Sequence, residues 1–231
     1  MRNSPNAKQP SPAQTMLLGT LLIAVMAGAI LALLAVQQSG TLEGSPTGTA
    51  RPTNTPNAGA GETIIIIEPA MQVRDFTLPA STGESLSLSD LGGKAVLLYF
   101  GYTFCPDFCP ITLAQFAAVR AGLGRLGEDV VGVLVSVDPD RDTPDVLRQY
   151  VSQFDPTFIG LQGDAETLAL ISSDYGLSYT EADAEGMVDH TVNSYLLDED
   201  GRLRAIFSFG TPTDDIENAV RQVLTEVEDA G

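Results

Sequence analysis

The sequence predicts an α/β domain, a mixed sheet with helices packed on it, carried behind one N-terminal transmembrane helix. Three observations lead there. Two continuous apolar runs, "KAVLLYFGY" at 94–102 and "DVVGVLVSV" at 129–137, read as central strands buried on both faces. Helical patterns alternate with these runs, which makes neighbouring strands parallel through right-handed crossovers. An uncharged run, "MLLGTLLIAVMAGAILALLAV" at 16–36, is long enough to cross a bilayer core as a helix.

Taken in order, residues 1–15 hold Arg2 and Lys8, and no base follows the apolar run until Arg51. That asymmetry predicts a cytoplasmic N-terminus. The run exceeds the roughly 7–15 residues of a signal-peptide core, and "LAVQQSG" is a poor cleavage sequence, so 16–36 reads as a retained anchor. Neither a lipid-bearing cysteine nor an Arg-rich transit peptide precedes it, which favours bacterial-type export. Residues 37–62 are dominated by Ser, Thr, Gly, Pro and Asn and lack aromatics, so they form a flexible linker reaching about 25–30 Å on average. The domain at 63–231 is then expected on the extracytoplasmic (periplasmic or outer) side. The chain has 30 acidic residues against 12 basic ones, and only Glu43 and Glu62 of the acids precede the domain. Such a surface excludes nucleic acid, whose phosphates need clustered Lys and Arg.

Within the domain, "TIIIIEP" and "RDFTLPA" read as two N-terminal strands forming a hairpin. After the first central strand, residues 108–122 show a helical pattern with Ile111, Leu113, Phe116 and Val119 as its apolar face. "DTPDVLRQYVSQF" is a helix with Thr143 as N-cap and Pro144 at its first position. "TFIGLQG" is a short strand, and "DAETLALISSDYG" a helix capped by Asp164 and ended by Gly176. "HTVNSYLLDEDGRLRAIFSF" is a hairpin turning near Asp200 and Gly201. Thr211 caps a last helix that buries Ile216, Ala219, Val220 and Val223 on one face. This is the order of a thioredoxin-like domain with an N-terminal β-hairpin extension and an insertion.

Both cysteines of the chain fall in "LLYFGYTFCPDFCPITLAQF". Pro110 is tolerated only in a first helical turn, so Cys105 lies in the loop after a central strand and Cys109 in the first turn of the next helix. The helix N-terminus favours thiolates, so both sulfurs are expected to ionise readily and to lie near the surface. A structural disulfide closing so short a loop removes little chain entropy. A redox couple is the stronger alternative, although the spacing holds three residues where oxidoreductases usually have two. Two thiolates also suit a soft metal that has a third ligand. The single histidine, His190, precedes the hairpin and in this fold comes beside the same helix start. Two thiolates and an imidazole suit copper and leave little for zinc, whose structural sites take four ligands.

Asp107 reads as a helix N-cap, with tuning of the thiols as its alternative role. Asp189 is a candidate acceptor for the His190 ring, and Met187 a candidate extra thioether ligand. Asp138, Arg141 and Asp142 read first as turn and cap residues, and second as an ion-pair network shaping a docking face.

Three segments, "YFGYTFCPDFCP", "VSVDPDRDTPDVLRQYV" and "VDHTVNSYLLDEDGRL", resemble in content and order the signatures of the Sco/SenC family. The likeness covers roughly 70–228. It departs at Phe104, where many members have histidine that is not a ligand. The resemblance implies a membrane-tethered, thioredoxin-like protein with one copper per domain, Cu(I) or Cu(II), held by Cys105, Cys109 and His190. It implies a copper metallochaperone for the Cu-A site on subunit II of cytochrome c oxidase, with other copper chaperones or thioredoxin-like reductants as further partners. The alternatives are a thiol–disulfide oxidoreductase that keeps the Cu-A cysteines reduced, with Cys105 and Cys109 as its redox-active pair, and a redox or copper sensor. A general thioredoxin is disfavoured because Val188-Asp189-His190-Thr191 lacks a proline at the hairpin entry.

Overall fold

A computed structural model describes residues 64–228; the N-terminus, anchor and linker expected at 1–15, 16–36 and 37–62 lie outside them. Among the described residues no helix is long and apolar enough to cross a membrane.

Six strands form one mixed sheet: β1 (Ile64–Gln72), β4 (Ala95–Gly101), β5 (Val130–Ser136), β6 (Ile159–Gln162), β7 (Ser194–Leu197) and β8 (Arg202–Phe207). Their order across the sheet is β1-β8-β7-β4-β5-β6. The β4–β5 pair is parallel, in register from Ala95↔Val130 to Gly101↔Ser136, and β6 continues it in parallel. β7 runs antiparallel to β4, and β8 to β7. Every residue of β4 and β5 is buried, as continuous apolar runs require at the centre of a covered sheet. Near the edge, β8 alternates, with Leu203, Ala205 and Phe207 inward.

The helices are α1 (Phe108–Gly122), α2 (Pro144–Val151), α3 (Ala165–Tyr175) and α4 (Thr213–Glu228). Thr143 caps α2 through its hydroxyl on the Val146 N–H, with Pro144 first in the helix. The Asp164 carboxylate accepts from the Thr167 N–H at 2.9 Å, and Gly176 ends α3 at φ 61°, a conformation glycine adopts without strain. Gly201, at φ 74°, turns the β7–β8 hairpin.

Three expectations change. The N-terminal hairpin exists, but it joins β2 (Thr77–Pro79) to β3 (Ser85–Ser87), while the isoleucine-rich β1 pairs with β8. Paired there, Ile64 and Ile67 pack partly buried against the core while Ile65 and Ile66 stay exposed. The hairpin in turn closes the other edge: Ser81 N–H donates to the Gly160 carbonyl, and the Gly160 N–H to the Ser81 hydroxyl. Ile111 is 54% exposed, and the core face of α1 is Cys109, Thr112, Leu113, Phe116 and Val119, a spacing from which Ile111 is out of phase. Thr211 is no cap; its hydroxyl donates to the Ser208 carbonyl, two residues short of α4. The predicted apolar face of α4 packs on the core, with Ile216, Val220 and Val223 buried and Ala219 partly so.

Candidate metal centre

β4 ends at Gly101, the loop 102–107 follows, and α1 places Cys109 second and Pro110 third in its first turn. A side chain on Gly101 would put its Cβ 2.7 Å from Cys109 Sγ, so the absence of one lets the sulfur tuck against the strand end. His190 stands just before β7, the antiparallel neighbour of β4, and Tyr179 bridges it to the segment after α3. Sheet pairing thereby brings together groups far apart in the chain. One ligand atom each from Cys105, Cys109 and His190 lies within 4.8 Å of the others, with Cys109 Sγ 4.0 Å from His190 Nε2.

The imidazole is oriented by the chain itself. His190 Nδ1 lies 2.9 Å from the Thr191 carbonyl, which only accepts, so Nδ1 carries the hydrogen and Nε2 turns its lone pair to the sulfurs. Asp189, the acceptor considered from sequence, is exposed; its backbone pairs with Thr180 instead. Tyr99 and Tyr102 stand edge-on to the ring, with centroids 5.9 and 5.7 Å away.

Both thiols are free but neither is at the surface: Cys105 is 7% exposed and Cys109 fully buried. They also diverge in acidity, against the expectation that both ionise readily. The Cys109 thiol donates to Cys105, and the N–H groups of Cys109, Asp107 and Phe108 converge on the same sulfur, holding its pKa down at about 5 against the cost of burial. Cys109 is pushed up, because it is the donor of that hydrogen bond and is more deeply desolvated. Asp107 occupies the N-cap position, yet its side chain makes no capping bond; its contribution to Cys105 is a backbone N–H.

Cys105, Pro106, Asp107, Met187 and His190 line a cavity of about 120 Å³ over the centre. Met187 is half-buried there, its sulfur 4.0 Å from the Tyr102 hydroxyl. A larger cleft, of about 830 Å³, lies between residues 137–140, α3 and residues 177–182, and none of the three candidate ligand residues lines it.

In the acidic loop after β5 the expected turn contacts and Asp138–Arg141 ion pair form, and the loop also braces the site. Asp142, fully buried, accepts from the Thr103 N–H at 3.0 Å, the Thr103 hydroxyl at 2.5 Å and the Ser136 hydroxyl at 2.7 Å, tying the cysteine loop to β5. Arg141 pairs with Asp138 and donates to the Gly186 carbonyl at 2.6 Å, and its guanidinium lies 4.7 Å from the Phe104 ring centre. The Val188 N–H donates to the Tyr102 hydroxyl at 3.2 Å. Arg141 and Tyr102 therefore fasten the segment carrying His190 to the loop carrying Cys105. Sequence reasoning missed both roles, and the parts of Tyr99, Thr103 and Thr191, because their partners are distant in the chain or are backbone atoms.

A family model described as SCO1/SenC matches residues 67–225. An SCO2-like protein of Rickettsia felis is 34% identical over 133 residues, 55% of this chain and 65% of its own length. Protein SenC of Rhodobacter capsulatus is 39% identical over 126 residues, 53% of this chain and 57% of its own length. The matches thus span less than two thirds of these relatives. Among solved structures, Arabidopsis thaliana ScoI with copper bound superposes with TM-score 0.62 at 31% identity, covering 67% of this chain and 98% of that one. Bradyrhizobium japonicum ScoI with copper bound does so with TM-score 0.59 at 32% identity, covering 65% and 98%.

Proposed function

The chain belongs to the SCO1/SenC family, and from that premise we propose that it is a membrane-tethered copper metallochaperone delivering copper to the Cu-A site on subunit II of cytochrome c oxidase during assembly. The observation that carries this reading is the convergence of the two thiols and the imidazole. Two soft sulfurs and one nitrogen suit copper. Cys105, Cys109 and His190 hold one ion per domain, as Cu(I) or Cu(II), and a three-ligand site leaves room for a ligand of the receiving protein, so the cargo can leave. Cys105 is already a thiolate at neutral pH, whereas Cys109 gives up its proton as the metal enters. The anchor at 16–36 and linker at 37–62 belong to the same proposal: they hold the domain on the extracytoplasmic side of a bacterial membrane, within reach of a neighbouring oxidase.

The difference between the thiols supports a second, compatible role as a thiol–disulfide oxidoreductase. The Cys105 thiolate attacks a client disulfide, releasing one client thiolate and forming a mixed disulfide. Cys109 then displaces the second client thiolate and closes a Cys105–Cys109 disulfide, which a thioredoxin-like reductant reopens.

A Cu(I) competition titration on the reduced chain and its His190→Ala variant tests the primary reading. The expected result is one copper per domain, held at least about tenfold less tightly by the variant. Weak binding, equal in both proteins, would sink the chaperone and leave a redox couple.

A further inference from the structure

Tyr99 lies in β4, one turn of the pleat before the cysteine loop, and is fully buried. Among the described residues its hydroxyl has no hydrogen-bond partner, a costly state for a buried polar atom. Two other tyrosines, Tyr150 and Tyr175, share that condition, but Tyr99 is the one against the candidate ligands. A Cβ on Gly101 would stand 2.7 Å from Cys109 Sγ and 2.8 Å from Tyr99 Cε1, so the phenol edge and the sulfur share one small space. A protonated cysteine sulfur is a weak acceptor, and a metal-ligating cysteine is a thiolate. As a thiolate it becomes a strong one.

We propose that the Tyr99 hydroxyl donates a hydrogen bond to the Cys109 sulfur once that sulfur is a copper-bound thiolate, and thereby favours Cu(I) over Cu(II). The inference rests on the copper reading above. A hydrogen bond draws electron density from the sulfur, and the more highly charged Cu(II) depends more on thiolate donation than Cu(I) does. Tyr99 is thus a tuning residue, read with the cargo bound. A phenol is protonated, and hence a donor, throughout the physiological range.

The test compares the full chain with Tyr99→Phe, each offered one equivalent of copper. Because the deleted oxygen is unpaired, the metal-free variant should melt no lower than the parent. Its Cu(II)-to-Cu(I) affinity ratio should rise by about three- to tenfold, the worth of one hydrogen bond, and its sulfur-to-Cu(II) charge-transfer band should move to longer wavelength. An unchanged ratio and band overturn the assignment. A second measurement needs no variant: in the Cu(I)-loaded parent, the Tyr99 hydroxyl proton should appear downfield by NMR and exchange slowly. Exchange as fast as in the metal-free protein also overturns it. If the parent takes up no copper, the chaperone reading falls and this inference with it. If the parent binds one copper and Tyr99→Phe behaves identically, only the tyrosine's role falls.

Discussion

Cys105 and Cys109 are four positions apart, yet one is acidic and the other reluctant to ionise. The cause is their proximity: hydrogen bonding from Cys109 and from the backbone N–H groups at the start of α1 favours the charge on Cys105. Alkylation of the metal-free protein should therefore stay fast at pH 6 and fall away only near pH 5, well below the value of about 8.5 for a free cysteine. Cys109→Ala removes the largest contribution, so the inflection of the rate–pH profile should move upward. An unchanged profile would refute the contact as its cause. Stability is a poorer probe here, because the linkage signs oppose. The depressed Cys105 contributes stability above its unfolded pKa, which is lost as pH falls toward 5; the raised Cys109 contributes stability at low pH, which is lost as pH rises.

Arg141 shows what holds one element to another. Its bonds to Asp138 and the Gly186 carbonyl, and its stacking on Phe104, fasten the His190 segment to the cysteine loop. Arg141→Ala should weaken copper binding by about tenfold, the usual scale when a group supporting a ligand is lost, while the far-ultraviolet circular dichroism spectrum stays unchanged. Arg141→Lys keeps the charge but loses the planar fork, and should recover only part of the affinity. Equal affinities in all three proteins would reduce the arginine to a loop ornament. The caps at Thr143 and Asp164 and the stop at Gly176 were legible in sequence because each is made by residues within a few positions. Thr211 and Ile111 misled for the complementary reason. A residue type suited to a cap or a core does not say which neighbour will be opposite it, and β1 found β8 rather than β2.

For the whole molecule, the centre joins the end of β4 and the start of α1 to a segment 81 residues further on, at the entry to β7. A ligand that binds only the folded arrangement stabilises it, by about 2.7 kcal/mol at a free concentration one hundred times its Kd. Loading with Cu(I) should accordingly raise the melting temperature, and the rise should shrink in His190→Ala, which cannot link the two regions. Equal shifts in both proteins would place the metal on the cysteines alone.

The linear sequence by itself determined the two central strands, most helix limits and the alternation that makes the sheet mixed. It also determined the cysteine spacing at a strand-to-helix junction and the chemical types of three candidate ligands. These follow from apolar periodicity, cap residues and the geometry of proline and glycine, all of which act within a turn or two. Tertiary structure alone decided which strand covers which edge, that His190 is oriented by the Thr191 carbonyl, and that Arg141 and Tyr102 hold its segment. It also decided the opposite acidities of the thiols and the orphaned Tyr99 hydroxyl beside one of them. The physical reason is that desolvation, hydrogen-bond geometry and contact depend on groups brought together by sheet pairing, and their separation along the chain carries no local pattern.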